Sequence, residues 1–269
     1  MKVRVQEKKC KTLLGRSRLS DYTLNCYTGC SNGCRYCYAK YVGRYAGHEE
    51  ELWGSYVDVK INALEVLKKE IERRPPGRVF VSSACDAWQQ EEEEWGLSRQ
   101  AVRMLLDAGF RVNVLTKSER IVRDLDAFSG KAGLCVGVTL TAIEERLRRA
   151  FEPRSSSYAE RLRILREANR RGMETFAMLA PLWPYLTDTE EHLRAVMKDL
   201  AKIRPTRVGM DFLNPRWSVW PGVREVLGER YPFLLKPWQR FLFDDATRAR
   251  RIKEVTEVYA DLQTELRLG

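Results

Sequence analysis

Histidine is almost missing from this chain: His48 and His192 are the only two in 269 residues. Histidine-centred acid–base catalysis and histidine metal sites therefore have little material to work with. Long apolar runs are missing too. No stretch of about 18 uninterrupted apolar residues occurs, which excludes a membrane-spanning helix. The charged opening Met1-Lys2-Val3-Arg4-Val5-Gln6-Glu7-Lys8-Lys9 lacks the apolar stretch of a signal peptide. The expected location is the cytoplasm, with no membrane partner. No low-complexity linker and no repeat of roughly 20–50 residues divides the chain. Acidic charge is in deficit, with 37 Asp and Glu against 47 Lys and Arg, a net charge of +10. What the chain does hold is seven cysteines. In a reducing compartment these point to metal or redox chemistry rather than to a disulfide framework.

The basic excess is concentrated. Residues 1–20 hold seven basic side chains and one acid, and residues 146–171 hold nine Arg and three Glu. Two readings fit equally well. One is a face that attracts polyanions, of which nucleic acid is the commonest in a cytosol. The other is an Arg-rich helix, solvated and partly paired with its own glutamates.

Along the chain, short apolar runs alternate with longer amphipathic ones. The spacing of Ile61, Leu64, Leu67 and Ile71 predicts a helix over Val57–Arg74, and Pro75-Pro76-Gly77 breaks it before the strand Arg78–Ser82. Further strands are expected at Tyr22–Tyr27, Phe110–Leu115, Leu134–Leu140, Met173–Leu179 and Arg207–Leu213. Helices are expected at Leu97–Leu106, Ile121–Phe128, Ser157–Arg171 and from a Thr187-Asp188 cap to about Ile203. Six strand–helix units predict an α/β fold with a parallel sheet, a partial (β/α)6 TIM-type barrel with a short N-terminal and a helical C-terminal extension. The expected division is a basic extension at 1–20, a core at 21–215 and an aromatic-rich, helical extension at 216–269. In the last of these, Ile252, Val255, Tyr259, Leu262 and Leu266 form a packing stripe. Glu91–Glu94 reads as a solvated loop, and Cys10 and Cys135 read as structural.

The informative segment is the cysteine loop. Cys30, Cys34 and Cys37 stand in C-x3-C-x2-C spacing just past a predicted strand, with Gly29 and Gly33 allowing a tight turn. Three thiolates on a four-iron cube leave one iron without a protein ligand, as a reactive centre requires. Counting Cys26 gives four thiols, which leaves an all-thiolate zinc site or a fully ligated electron-transfer cluster as alternatives.

This loop resembles that of the radical S-adenosylmethionine superfamily, in which an aromatic residue, here Tyr36, precedes the third cysteine. Asn25-x-Tyr27-x-Gly29-Cys30-x-x-Gly33-Cys34-x-Tyr36-Cys37-Tyr38-Ala39 is similar to the spore photoproduct lyase-like, or DNA-repair-photolyase-like, branch. Lys11–Leu14, Val59–Ala63, Thr116–Ser118, Glu152–Arg154, Ala180–Pro184 and Thr187-Asp188 fit the same branch in order. The chain departs from it at Cys26, at Asn32 and in Cys85-Asp86-Ala87-Trp88-Gln89.

The resemblance implies a [4Fe–4S] cluster on Cys30, Cys34 and Cys37, with S-adenosyl-L-methionine chelated on the open iron and cleaved to a 5′-deoxyadenosyl radical. It further implies Tyr36 beside the adenine; Ser82, Ser83 and Asp86 near the methionine ammonium; Lys117 and Arg154 at the carboxylate; Thr139 and Thr141 at the ribose; and Leu182 by the adenine pocket. Cys85, or Ser83 in its place, falls where the branch carries a hydrogen-donating cysteine. The implied partners are an electron donor such as ferredoxin or flavodoxin, and nucleic acid, DNA or tRNA, as substrate. A peptide or small-metabolite substrate, or a cluster- or zinc-bearing nucleic-acid-binding protein without catalysis, are the competing functions.

Overall fold

The apolar runs of the sequence become the strands of one long sheet. A computed structural model describes residues 2–268. In chain order the strands are β1 (Arg4–Lys8), β2 (Leu14–Gly15), β3 (Tyr22–Leu24), β4 (Tyr27–Thr28), β5 (Tyr56–Lys60), β6 (Arg78–Val81), β7 (Arg111–Thr116), β8 (Leu134–Leu140), β9 (Glu174–Leu182) and β10 (Arg207–Phe212). Seven of them form a sheet in the order β10-β9-β8-β7-β6-β3-β2, parallel throughout except for β2 against β3. Its six parallel strands follow one another in chain order, as the partial-barrel expectation requires. All seven residues of β8 are buried, the pattern of a central parallel strand covered on both faces. A small second sheet joins β1, β5 and β4.

The helices are α1 (Tyr41–Tyr45), α2 (Ala63–Arg73), α3 (Glu92–Trp95), α4 (Leu97–Asp107), α5 (Glu145–Phe151), α6 (Tyr158–Arg170), α7 (Glu190–Ile203), α8 (Trp220–Arg230), α9 (Leu235–Phe243) and α10 (Asp245–Leu266). A capping box closes the start of α6, where the Ser157 hydroxyl accepts from Glu160 N–H and the Glu160 carboxylate accepts from Ser157 N–H. None of the described helices is long and apolar enough to cross a membrane.

Four local expectations change. The opening strand Tyr22–Tyr27 breaks at Asn25-Cys26, so β3 joins the large sheet and β4 the small one. Val57–Arg74 is not one helix: Val57-Asp58-Val59 pair in β5, and the helix begins only at Ala63. Ile61, counted in the helical stripe, sits exposed in the turn. Ile121–Phe128 belongs to a 3-10 stretch, Glu119–Phe128. Thr189 rather than Thr187-Asp188 caps α7, because Thr187 Oγ1 accepts from Trp183 N–H and Asp188 from Tyr185 N–H.

The C-terminal aromatics divide by burial. Trp238 and Phe241 are fully buried and pack with Phe151 and Trp183 into a second hydrophobic cluster. The Phe151 ring lies 4.5 Å from Trp183 and 5.5 Å from Trp238, centroid to centroid. Each such side chain contributes roughly 1.5–3 kcal/mol through burial. Trp217 and Phe233 stay exposed. Val255, Tyr259 and Leu262 of α10 are buried in the main core, as their stripe predicts.

Candidate active site at the carboxyl ends of the strands

The cysteine loop leaves β4 and turns back at once. Gly29 and Gly33 both take positive φ, and a Cβ on Gly29 would meet the Tyr56 carbonyl at 2.5 Å, so no side chain fits there. Gly33 N–H donates to Cys30 O (3.2 Å) and Cys37 N–H to Cys34 O (3.2 Å), two tight turns that fold the cysteine loop back on itself. Cys26 stands apart, buried in the main core against Ser98 and Glu92.

The loop after β6 clamps this coil from the side. Asp86 is its pin: its carboxylate accepts from Thr116 Oγ1 (2.6 Å), Lys117 N–H (2.8 Å), Trp88 N–H (3.0 Å) and Asn32 Nδ2 (3.1 Å). Asp86 N–H in turn donates to Cys30 Sγ at 3.4 Å. Gln89 Oε1 accepts from Ser31 N–H and Glu91 from Ser31 Oγ, both at 2.7 Å. Glu92 is fully buried, accepting from Tyr27 Oη and from the N–H groups of Ser98 and Arg99. The glutamate run is therefore no solvated loop, because two of its four carboxylates brace the cysteine loop and the start of α4. Asn25 holds the other end of the clamp, donating to Ser83 Oγ (2.8 Å) and accepting from Ala84 N–H (2.9 Å) and the Cys85 thiol (3.6 Å).

Between loop and strand ends lies a cavity of about 100 Å3. Cys30, Cys34 and Cys37 line it together with Ser82, Ser83, Cys85, Asp86, Lys117 and Thr139. Lys117, just past β7, is half-buried, and among the described residues its ammonium has no hydrogen-bonding or ionic partner. Burial works against that charge, but Cys34, Glu152 and Asp86 outweigh it and hold the Lys117 pKa above its ordinary value. Burial also pushes the cysteine thiols up, Cys34 and Cys85 to about 12. Three such thiols become thiolates only when a positive centre replaces their protons. Among the described residues no three His, Cys, Asp or Glu side chains converge as ligands of one metal ion.

The sequence profile of the radical SAM superfamily matches residues 24–200, from the strand before the cysteine loop to the end region of α7. The chain belongs to the radical SAM superfamily. An uncharacterized protein of Methanocaldococcus jannaschii is 31% identical over 171 residues, 64% of this chain and 64% of that protein. An uncharacterized protein of Mycobacterium tuberculosis is 31% identical over 204 residues, 73% of this chain and 60% of that one. The match thus spans less than two thirds of these relatives' own lengths. Among solved structures, spore photoproduct lyase complexed with dinucleoside spore photoproduct superposes on 97% of this chain and 79% of its own, with a TM-score of 0.69 and 18% identity. That likeness is one of fold.

Radical SAM proteins bind a [4Fe–4S] cluster and S-adenosylmethionine, and the donor set fits both. Three thiols and a free ammonium face one space, and the Trp53 indole N–H, also on its wall, is buried without an acceptor. Four residues expected at the cofactor lie outside the cavity wall. Tyr36 is buried with its hydroxyl on Glu152 and its ring 5.6 Å from that of Trp183. Arg154 reaches outward, donating to Gly54 O beside Gly33. Thr141 accepts from Arg161 at 3.4 Å, and Leu182 is buried in the main core opposite Phe212.

Behind the site runs a charge network that sequence reasoning missed. Arg161, 1% exposed, pairs with the fully buried Glu152, which also receives the Tyr36 hydroxyl. Arg161 donates further to Thr139 O at 2.8 Å, linking the aromatic of the cysteine loop to the end of β8. Glu152 lies in the Glu152–Arg154 motif, and Asn25 and Tyr38 lie in the cysteine-loop motif, where the Tyr38 hydroxyl donates to Ser83 O at 2.6 Å. Arg161 carried no signal, being one of nine arginines in its stretch.

Proposed function

We propose that this chain is a radical S-adenosylmethionine enzyme that removes a hydrogen atom from a nucleic-acid base, in repair or modification. The observation that carries the reading is the cavity itself, in which three loop thiols and an unpartnered lysine meet at the carboxyl ends of the strands. Cys30, Cys34 and Cys37 would hold the [4Fe–4S] cluster. With S-adenosylmethionine bound there, the cluster supplies a carbon-centred radical able to abstract hydrogen.

The protein's own groups bind and orient. The Lys117 ammonium meets the methionine carboxylate. Ser82 and Ser83 offer oxygens to its ammonium, while Asp86, saturated by four protein hydrogen bonds, holds the cysteine loop in place. Thr139 faces the ribose. Tyr36, Thr141, Arg154 and Leu182 act from outside the cavity by fixing its walls. Cys85 stays a thiol through burial, and Asn25 Oδ1 orients its S–H. It would give a hydrogen atom to the substrate radical: the S–H bond breaks as a C–H bond forms, and the thiyl left on Cys85 takes a hydrogen atom back from a small-molecule thiol. Nucleic acid as substrate is supported by the net charge of +10, and a ferredoxin or flavodoxin would deliver the electron. Residues 21–215 form the working core in this reading.

Anaerobic reconstitution tests it. The expected results are about four irons per chain, reductive cleavage of S-adenosylmethionine, and loss of both on Cys34→Ala. An iron-free, colourless protein indifferent to S-adenosylmethionine overturns the reading. Cys85→Ala is expected to keep the cluster and the cleavage but to change turnover or product identity with a nucleic-acid substrate. Unchanged turnover and product remove the donor role.

A further inference from the structure

Trp53 borders two spaces. With Cys34 it lines the cluster cavity on one side, and with Cys34 and Gly33 it lines a separate outer groove of about 740 Å3 on the other. Its indole N–H is buried and unpaired, a desolvation penalty that an acceptor on a ligand would remove.

The outer groove interleaves cations with aromatic faces. Arg44 and Arg216 are exposed and, among the described residues, have no carboxylate partner. The Arg216 guanidinium lies over the Tyr41 ring at 5.1 Å. Trp217 is 75% exposed and stacks on Phe243 at 4.0 Å, which backs one face of the indole and leaves the other to solvent. Of the three carboxylates in the groove, Glu51 is held by Arg4 and His48, and Glu225 faces Arg35 at 3.6 Å. The free charge is therefore chiefly cationic.

We propose that this groove holds a single-stranded stretch of nucleic acid flanking the reacting base. Arg44 and Arg216 meet phosphates, Trp217 stacks one base, and the Trp53 N–H takes a base carbonyl or phosphate oxygen at the wall that the groove shares with the cavity. The proposal rests on the nucleic-acid reading above. A backed, open indole between arginines is the arrangement that stacks unpaired bases while tracking their backbone. An acidic electron-carrier protein would be drawn to the same cations but has no use for the open indole face.

The test uses the reconstituted holoenzyme, titrated anaerobically with short single-stranded DNA and RNA oligonucleotides and with the duplex of the same sequence, followed by fluorescence anisotropy. Single strands are expected to bind more tightly than duplex. Trp217→Ala is expected to weaken single-strand binding about fivefold or more, with Trp217→Phe restoring most of it. Arg216→Gln and Arg44→Gln are each expected to lower the salt slope by roughly one. Iron content and far-UV spectrum serve as the folding controls for these exposed positions. Parent binding that the variants retain overturns the groove while leaving the nucleic-acid reading in place. Failure of every oligonucleotide to bind the parent overturns both. Variants that keep oligonucleotide binding but slow reduction by an acidic flavodoxin also overturn the proposal, assigning the groove to the electron carrier.

Discussion

A single buried pair ties the site to the barrel. Arg161 satisfies Glu152, the Thr139 carbonyl, the Ser155 hydroxyl and the Ser156 carbonyl from one guanidinium. Arg161→Met leaves Glu152 charged in the interior, and a loss of about 3–5 kcal/mol is expected in urea unfolding. The double variant Arg161→Met with Glu152→Gln should recover part of that loss. The pair also sets an acid limit. Burial pushes the Glu152 carboxyl up, but Arg161, Lys117 and the Tyr36 hydroxyl outweigh it and hold its pKa below the usual 4.5. Its stabilisation is therefore complete above about pH 4.5 and lost as the pH falls through the lower folded value. The acid-side drop in unfolding free energy should be shallower in Glu152→Gln than in the parent. At this scale the sequence was legible where partners are close in the chain. Three thiols within eight residues announce themselves, whereas Tyr36 and Glu152 meet across 116 positions and neither names the other.

Elements were legible where one period dominates. β8 and α6 stand where the patterning put them, since a short apolar-rich run and a long amphipathic stretch closed by Gly172 admit one reading each. Val57–Arg74 divides because a short alternating strand runs into an amphipathic helix, and Ile61 in the turn between them happens to extend the period of Leu64, Leu67 and Ile71 backwards. The clamp on the cysteine loop was invisible for another reason: it is made of loops meeting loops. Where Gly33 passes Gly54, a Cβ on Gly54 would lie 2.7 Å from Gly33 Cα, and Gly54 has φ of +93°. Gly54→Ala should push the two segments apart, at a cost of about 1–3 kcal/mol in backbone strain alone. The expected readout is a fall in iron bound per chain after reconstitution, with the far-UV spectrum preserved. Equal iron loading would show that the crossing does not hold the cysteine loop.

At the scale of the whole molecule, the C-terminal helix is fastened to the barrel by few but specific bonds. Arg251 of α10 holds the buried Asp188 with Nε at 2.7 Å and Nη2 at 2.8 Å, and Tyr259 Oη donates to Val208 O at 2.9 Å. Arg251→Ala strands Asp188, and a loss of about 2–4 kcal/mol is expected, short of the fully buried case because Arg251 keeps 21% of its side chain exposed. A single cooperative urea transition, shifted to lower denaturant, is the expected curve; two separated transitions would mean that the tail and the barrel unfold independently.

The sheet stops at β10 on one side and β2 on the other instead of meeting itself, and a strand with no neighbour offers its amides and carbonyls to any other extended peptide. The Tyr259 hydroxyl sits on one such carbonyl of β10. The tail thus caps one carbonyl of β10, and a chain cut after Phe243 is expected to self-associate with rising concentration in light scattering even where its spectrum still reports a folded sheet; light scattering unchanged with concentration would show that the tail does not shield that edge.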